Sequence, residues 1–200
     1  MRILITYFTQ SNNTKEIAES IFEEITAQNH EVDIERIENV KPESLNEYDL
    51  VFIGSACHHA DVAEPVKALL KGISPSPPFK IAGFVTHATK TEEGGKRNKE
   101  LYDRWAGKCV KTFTQVSDEK NIEFLGYFHC KGIPIPPIAD FIHQEIVTEE
   151  EEWEEYKDEI KNHPDEKDHL QAKEFANIML LKFWEIGKLT PGVIDLRFNP

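Results

Sequence analysis

The chain has 200 residues, room for one large domain with a sizeable core, and its 40% hydrophobic, 10% aromatic and 30% charged content is that of a globular protein rather than a disordered one. With 36 acidic against 23 basic side chains, the formal charge of -13 repels phosphate-rich surfaces, so neither nucleic acid nor an anionic membrane is an expected partner. Three scattered cysteines without a CxxC pair suggest neither a disulfide framework nor a cysteine-only metal site, and no apolar run approaches the roughly 18 residues of a membrane helix; a cytoplasmic protein is expected.

Residues 2–8 read as a strand, and from Thr14 to Gln28 Ile17, Ala18, Ile21, Phe22 and Ile25 recur at helical spacing. Val32 to Ile37 alternates like a half-covered strand, whereas Leu50 to Gly54 is a continuous apolar run, the signature of a buried parallel strand. A helix is expected from Glu64 to Gly72, with Pro65 in its first turn and a proline-rich link after it. Ile81 to Thr86 gives a fourth strand, Lys99 to Val116 a single helix, and Ile122 to Phe128 a fifth strand. Regular alternation of this kind predicts an α/β fold, a doubly wound parallel sheet with helices on both faces.

Beyond the fifth strand, residues 131–163 form an insertion that opens with Ile133-Pro134-Ile135-Pro136-Pro137-Ile138. Its acidic stretch from Thr148 to Lys161 predicts a short helix, with Thr148 and Glu151 as a capping box; it is read as a solvated face or a partner-binding arm. A last helix, Asp168 to Ile186, carries a broad apolar surface suited to the sheet or to a second chain, which would allow a homodimer. The C-terminal tail, 187–200, holds Val193, Ile194, Leu196 and Phe198. All of this is read as a single domain, 1–200.

Chemistry is expected first at Thr9-Gln10-Ser11-Asn12-Asn13-Thr14, between the first strand and the first helix. Backbone N–H groups and the positive end of a helix dipole suit a dianionic phosphate there; Thr9, Ser11 and Thr14 can donate hydroxyl bonds, and Asn13 can cap the helix and donate an amide N–H.

The pattern Thr-x-Ser-x-Asn-Thr after an amino-terminal strand closely resembles the phosphate loop of flavodoxins, with Asn12 where those proteins usually carry glycine. The likeness covers residues 2–130 and resumes at His163 to Asp168 with Ala172, Phe175 and Ala176. It implies a flavodoxin-like five-stranded parallel sheet of order 2-1-3-4-5 and FMN as cofactor. It also implies that the flavin ring rests on Ser55, Ala56, Cys57, His58 and His59, and on Thr86, His87, Ala88 and Thr89, with Gly94 and Gly95 further on. Neither ring loop holds the Trp or Tyr of typical electron-carrying flavodoxins, so either a histidine takes the stacking place or one flavin face is open to an acceptor. The resemblance thus implies an oxidoreductase or electron-transfer protein, serving a redox partner protein or a small-molecule electron acceptor such as a nicotinamide or quinone.

His58, His87 and His129 stand at or just past the ends of the third, fourth and fifth strands and are the candidate catalytic residues, able to pass protons to flavin or substrate near neutral pH. The alternative is a flavin-free binding module or a metal-dependent enzyme using His58, His59, Asp61, His87 and His129, although no short-range zinc motif is present. The polar loop Thr89 to Asn98 is read as a lid whose Lys96 and Arg97 could attract a nicotinamide phosphate.

Overall fold

In the computed structural model, which describes residues 1–91 and 95–186, the first apolar run forms β1 (Arg2–Phe8) with Ile3, Leu4 and Ile5 buried. The helix after it, α1 (Asn13–Ala27), lays Ile17, Ala18, Ile21 and Ile25 on the sheet. β2 (Glu31–Arg36) is a polar edge strand, and β3 (Leu50–His58) runs through the centre with its first six residues buried. A two-residue strand, β4 (Asp61–Val62), folds back on the end of β3 and is followed by α2 (Glu64–Gly72), β5 (Lys80–His87), α3 (Lys96–Trp105), α4 (Lys108–Lys120) and β6 (Phe124–Lys131). The insertion contributes α5 (Pro136–Glu145) and α6 (Glu150–Ile160), and α7 (Glu166–Ile186) ends the described chain.

Five strands pair in parallel in the order β2-β1-β3-β5-β6, with β4 an antiparallel spur on β3. The expected order is therefore present, β5 and β6 being the fourth and fifth strands of the sequence reading. One face is covered by α1 and α7 over Ile5, Phe52 and Phe84, the other by α2 and α4 over Val51, Ile53 and Val85, with Phe113 of α4 packed among them. Burying both faces explains why the central strands read as unbroken apolar runs.

Several boundaries differ from expectation for identifiable reasons. The single helix from Lys99 to Val116 is two helices: the Ala106 and Gly107 N–H groups both bond back to the Tyr102 carbonyl, which closes α3, and α4 starts afresh at Lys108. A Cβ at Gly107 would stand 2.8 Å from the Asp103 carbonyl oxygen, so the tight turn needs glycine. β3 and β5 extend to His58 and His87, so that Ser55, Ala56 and Thr86 are strand residues held in the ladder. Thr148 does not cap α6; Glu149 occupies that position without a side-chain cap, and the capping-box reading fails. α5 was hidden by Pro136 and Pro137, which here fill the first turn of a helix. Gly94 and the tail 187–200 lie outside the described residues. No helix among them is long and apolar enough to cross a membrane.

Candidate functional site

Doubly wound sheets leave a crevice at their carboxyl edge, and β1 enters it through the loop 9–14. Asn12 is the N-cap of α1 at φ 70° and ψ -9°, left-handed backbone that asparagine tolerates better than most residues. This corrects the capping role expected of Asn13, which is the first helical residue; its Nδ2 instead donates to the Ile133 carbonyl of the insertion at 2.9 Å. The hydroxyls of Thr14 and Thr86, both buried, share a hydrogen bond of 2.8 Å, so two expected site residues, one at the start of α1 and one at the end of β5, do meet.

Thr9 Oγ1 is buried without a protein partner, while Gln10, Ser11 and Asn12 are exposed. The first intrahelical bond runs from the Glu16 N–H to the Asn12 carbonyl, which leaves the N–H groups of Asn13, Thr14 and Lys15 at the free end of the helix. An unsatisfied hydroxyl beside free N–H groups at the positive end of a dipole is a donor set suited to a phosphate. A cleft of about 420 Å³ opens beside it, between Ser11 and Asn13 on one side and Ile133 to Pro136 and Lys161 on the other.

Ile135 joins that cleft to a second cavity of about 510 Å³. Its floor is Cys57, His58, His59 and Ala60 after β3 and His87, Ala88, Thr89 and Lys90 after β5. Its roof is α5, which contributes Ile138, Phe141 and Ile142, and Trp105 closes one end with its ring edge-on to Phe141 at 5.5 Å. Aromatic side chains absent from the two loops thus arrive from α3 and the insertion. Their signal was in the sequence: Ile135, Ile138, Phe141, Ile142 and Ile146 recur at helical spacing behind the prolines. Among the other expected residues, Gln10 lines the cavity; Ser55 instead accepts from the Ala63 N–H at 2.9 Å and donates to the Ala56 carbonyl, closing the turn. Gly95, at φ 92°, caps α3.

The histidines divide. His58 and His87 line the cavity; His129 is held to His87, its Nδ1 3.0 Å from His87 Nε2, and stacks on Tyr102 at 4.5 Å rather than lining the cavity. Burial, reinforced by His129, pushes the pKa of His87 down to about 3, so this imidazole is neutral at physiological pH. His58 is also pushed down, by its half-burial and by His59, and sets its ring against Phe8 at 5.5 Å. His59 and Ala60, at φ 51° and 68°, form the tight turn between β3 and β4, a backbone costly for residues other than glycine.

These histidines do not gather as metal ligands. Asp61 meets Lys67 at 3.1 Å and accepts from the Thr112 hydroxyl at 2.6 Å. Among the described residues, the side chains close enough to share an ion are His163, Asp165 and Asp168, of which Asp165 and Asp168 exchange side-chain and backbone bonds of 3.0 and 2.9 Å as the cap of α7. Lys96 and Arg97 are engaged too, with Glu100 and with Glu152 of the insertion. The insertion is fastened further by Glu159, which pairs with both Lys90 and Lys131, and by the Tyr156 hydroxyl, which donates to the Ala88 carbonyl at 2.7 Å.

A family model described as flavodoxin domain matches residues 4–177. The chain belongs to the flavodoxin-domain family. Among its relatives, an uncharacterized protein of Methanocaldococcus jannaschii is 29% identical over 185 residues, covering 90% of this chain and 99% of its own. The flavodoxin-like domain-containing protein BilS of Clostridioides difficile is 25% identical over 195 residues, with 91% and 98% covered. Oxidised flavodoxin 2 of Bacillus cereus matches the fold with a TM-score of 0.60 at 21% identity, over 91% of this chain and 99% of that one. Rubredoxin:oxygen oxidoreductase of Desulfovibrio gigas matches at a TM-score of 0.54 and 12% identity, over 90% of this chain and 36% of that one. The flavodoxin-domain family is one of flavin-binding electron-transfer proteins, and in this member the crevice at the carboxyl edge of the sheet is roofed by the insertion.

Proposed function

We propose that this flavodoxin-domain protein is an FMN-dependent oxidoreductase acting on a small-molecule electron acceptor. The observation that carries the reading is the cavity of about 510 Å³ between the β3 and β5 loops and α5, within the roughly 300–1,000 Å³ range of small-molecule sites. A protein-to-protein shuttle needs a bare flavin edge; here Ile138, Phe141 and Trp105 cover the place where that edge would lie. Bound FMN would supply one- and two-electron chemistry, and the chain's own work is to hold and shield it.

In this reading Thr9 Oγ1, the Ser11 hydroxyl and the free N–H groups of α1 take the phosphate, with Lys161 across the cleft adding positive charge. Apolar α5 excludes water from the ring. His58, on the cavity floor, is the imidazole placed to hand a proton to substrate, while neutral His87 orients through its bond to His129.

Titration of flavin-free protein with FMN tests this. Binding is expected, and Thr9→Ala with Ser11→Ala should weaken it by about 10- to 100-fold for each charge-assisted bond lost. Reduction of the loaded protein by a nicotinamide cofactor and reoxidation by a quinone should follow without another protein. Absence of FMN binding would end the cofactor assignment; transfer only to a protein partner would end the small-molecule one.

A further inference from the structure

Cys57 and Cys109 are 52 residues apart in the chain, and nothing in their spacing connects them. Folding does. Cys57 lies at the end of β3 in the wall of the cavity, and Cys109 is the second residue of α4, whose start is fixed by the break at Ala106 and Gly107. Their sulfurs are 3.5 Å apart, with the Cys109 thiol directed at Cys57. A disulfide bond would need a closure of about 1.5 Å.

The two sulfurs have unequal surroundings. Cys57 is half-buried and reachable through the cavity; Cys109 is fully buried. Cys109 nevertheless sits in the first turn of α4, where the helix dipole favours negative charge on sulfur. Its hydrogen bond to Cys57 and its burial raise its pKa, so it keeps its proton until Cys57 has reacted. Cys130, the remaining cysteine, is buried beneath the other face of the sheet, among the residues packed by α1 and α7.

We propose that Cys57 and Cys109 form a reversible dithiol–disulfide couple in the cavity wall, a two-electron site that exchanges with low-molecular-weight disulfides. Cys57 sulfur attacks one sulfur of the incoming disulfide RSSR, giving the mixed disulfide at Cys57 and one RSH. Cys109 sulfur then attacks the Cys57 sulfur, its proton going to the departing RS group, which leaves as the second RSH. The protein pair loses two electrons and two hydrogens, and one small disulfide becomes two thiols. Reduced small thiols reverse both steps. The couple does not require flavin, so its test stands apart from that of the cofactor.

The protein as isolated is incubated with oxidised glutathione, quenched in acid, unfolded, alkylated, and read by intact mass and peptide mapping. Wild type should lose two hydrogens, show a Cys57–Cys109 cross-link and alkylate only at Cys130; reduced glutathione should restore all three thiols. Cys109→Ala should retain one glutathione on Cys57, and Cys57→Ser should take up none. Wild type that keeps three alkylatable cysteines, or that holds glutathione on Cys57 with Cys109 still free, overturns the proposal. Because the wild-type map decides it, the outcome does not depend on how well the Cys109 variant folds.

Discussion

Acidification should weaken the fold through His87 before it touches any carboxylate. Buried against His129, with Lys131 and His163 adding positive potential, His87 titrates at about 3 in the native protein against an ordinary 6.5. Below pH 6.5 the unfolded chain therefore takes up a proton that the native state refuses, and stability is lost as pH falls from 6.5 towards 3. Linkage puts the loss from this one group at about 2 kcal/mol at pH 5, against about 0.2 kcal/mol at pH 7. Glu159 and Asp165, whose pKa values are lowered, give up their contributions only below their ordinary values of 4.5 and 3.8, so the window from pH 6.5 to 5 belongs to histidine. His58 is shifted in the same direction and adds to the loss. Urea unfolding of wild type and His87→Gln at pH 7, 6 and 5 measures it. Wild type should lose about 2 kcal/mol more than the variant between pH 7 and 5; equal losses would refute the view that burial keeps His87 neutral.

Three further outcomes are expected at the insertion. A Cβ at position 132 would stand 2.4 Å from Asn13 Nδ2, so Gly132→Ala should displace the Asn13 bond to Ile133, cost about 1–3 kcal/mol in thermal or denaturant unfolding, and lower FMN affinity in titration. Glu159→Gln leaves Lys90 and Lys131 facing each other without their shared carboxylate; because Glu159 is partly exposed the loss should be only about 1 kcal/mol, shrinking at high salt, with limited proteolysis cutting the insertion faster. Phe141→Ala, at a side chain 40% exposed, should change folding stability by less than about 1 kcal/mol yet speed flavin release, read as recovery of flavin fluorescence after dilution.

How much of this was legible beforehand follows from where the information lies. The parallel sheet was readable because Leu50 to Ile53 and Ile81 to Val85 are buried on both sides and carry no polar alternation. Asn12 was readable as a left-handed residue because it stands where flavodoxins usually carry glycine, and it is one. The roof of the cavity was not, because Pro136 and Pro137 look like breakers until a helix is known to start there. Nor could spacing reveal that Asn13 spends its amide on Ile133, 120 residues away, or that Cys57 touches Cys109. Such contacts are made by the crossovers, which bring separate strand ends together regardless of their distance in sequence. The histidine rim was half legible: His87 and His129 do adjoin, on the same face of neighbouring strands, but His129 stacks on Tyr102 of α3 instead of lining the cavity.

The fastening of the insertion bears on time as well as on affinity. Residues 133–160 hold Asn13 at the phosphate end of the crevice, Ala88 in its middle and Lys90 and Lys131 beyond, so α5 lies across the way by which a seated cofactor would depart. Exit would require several of these attachments to let go together. Residence of a bound flavin would then be governed by the opening of a strapped helix rather than by the strength of any single bond to phosphate, and a protein weakened at Glu159 or Tyr156, away from Asn13, would bind FMN as tightly at equilibrium while exchanging it with the surrounding pool many times faster.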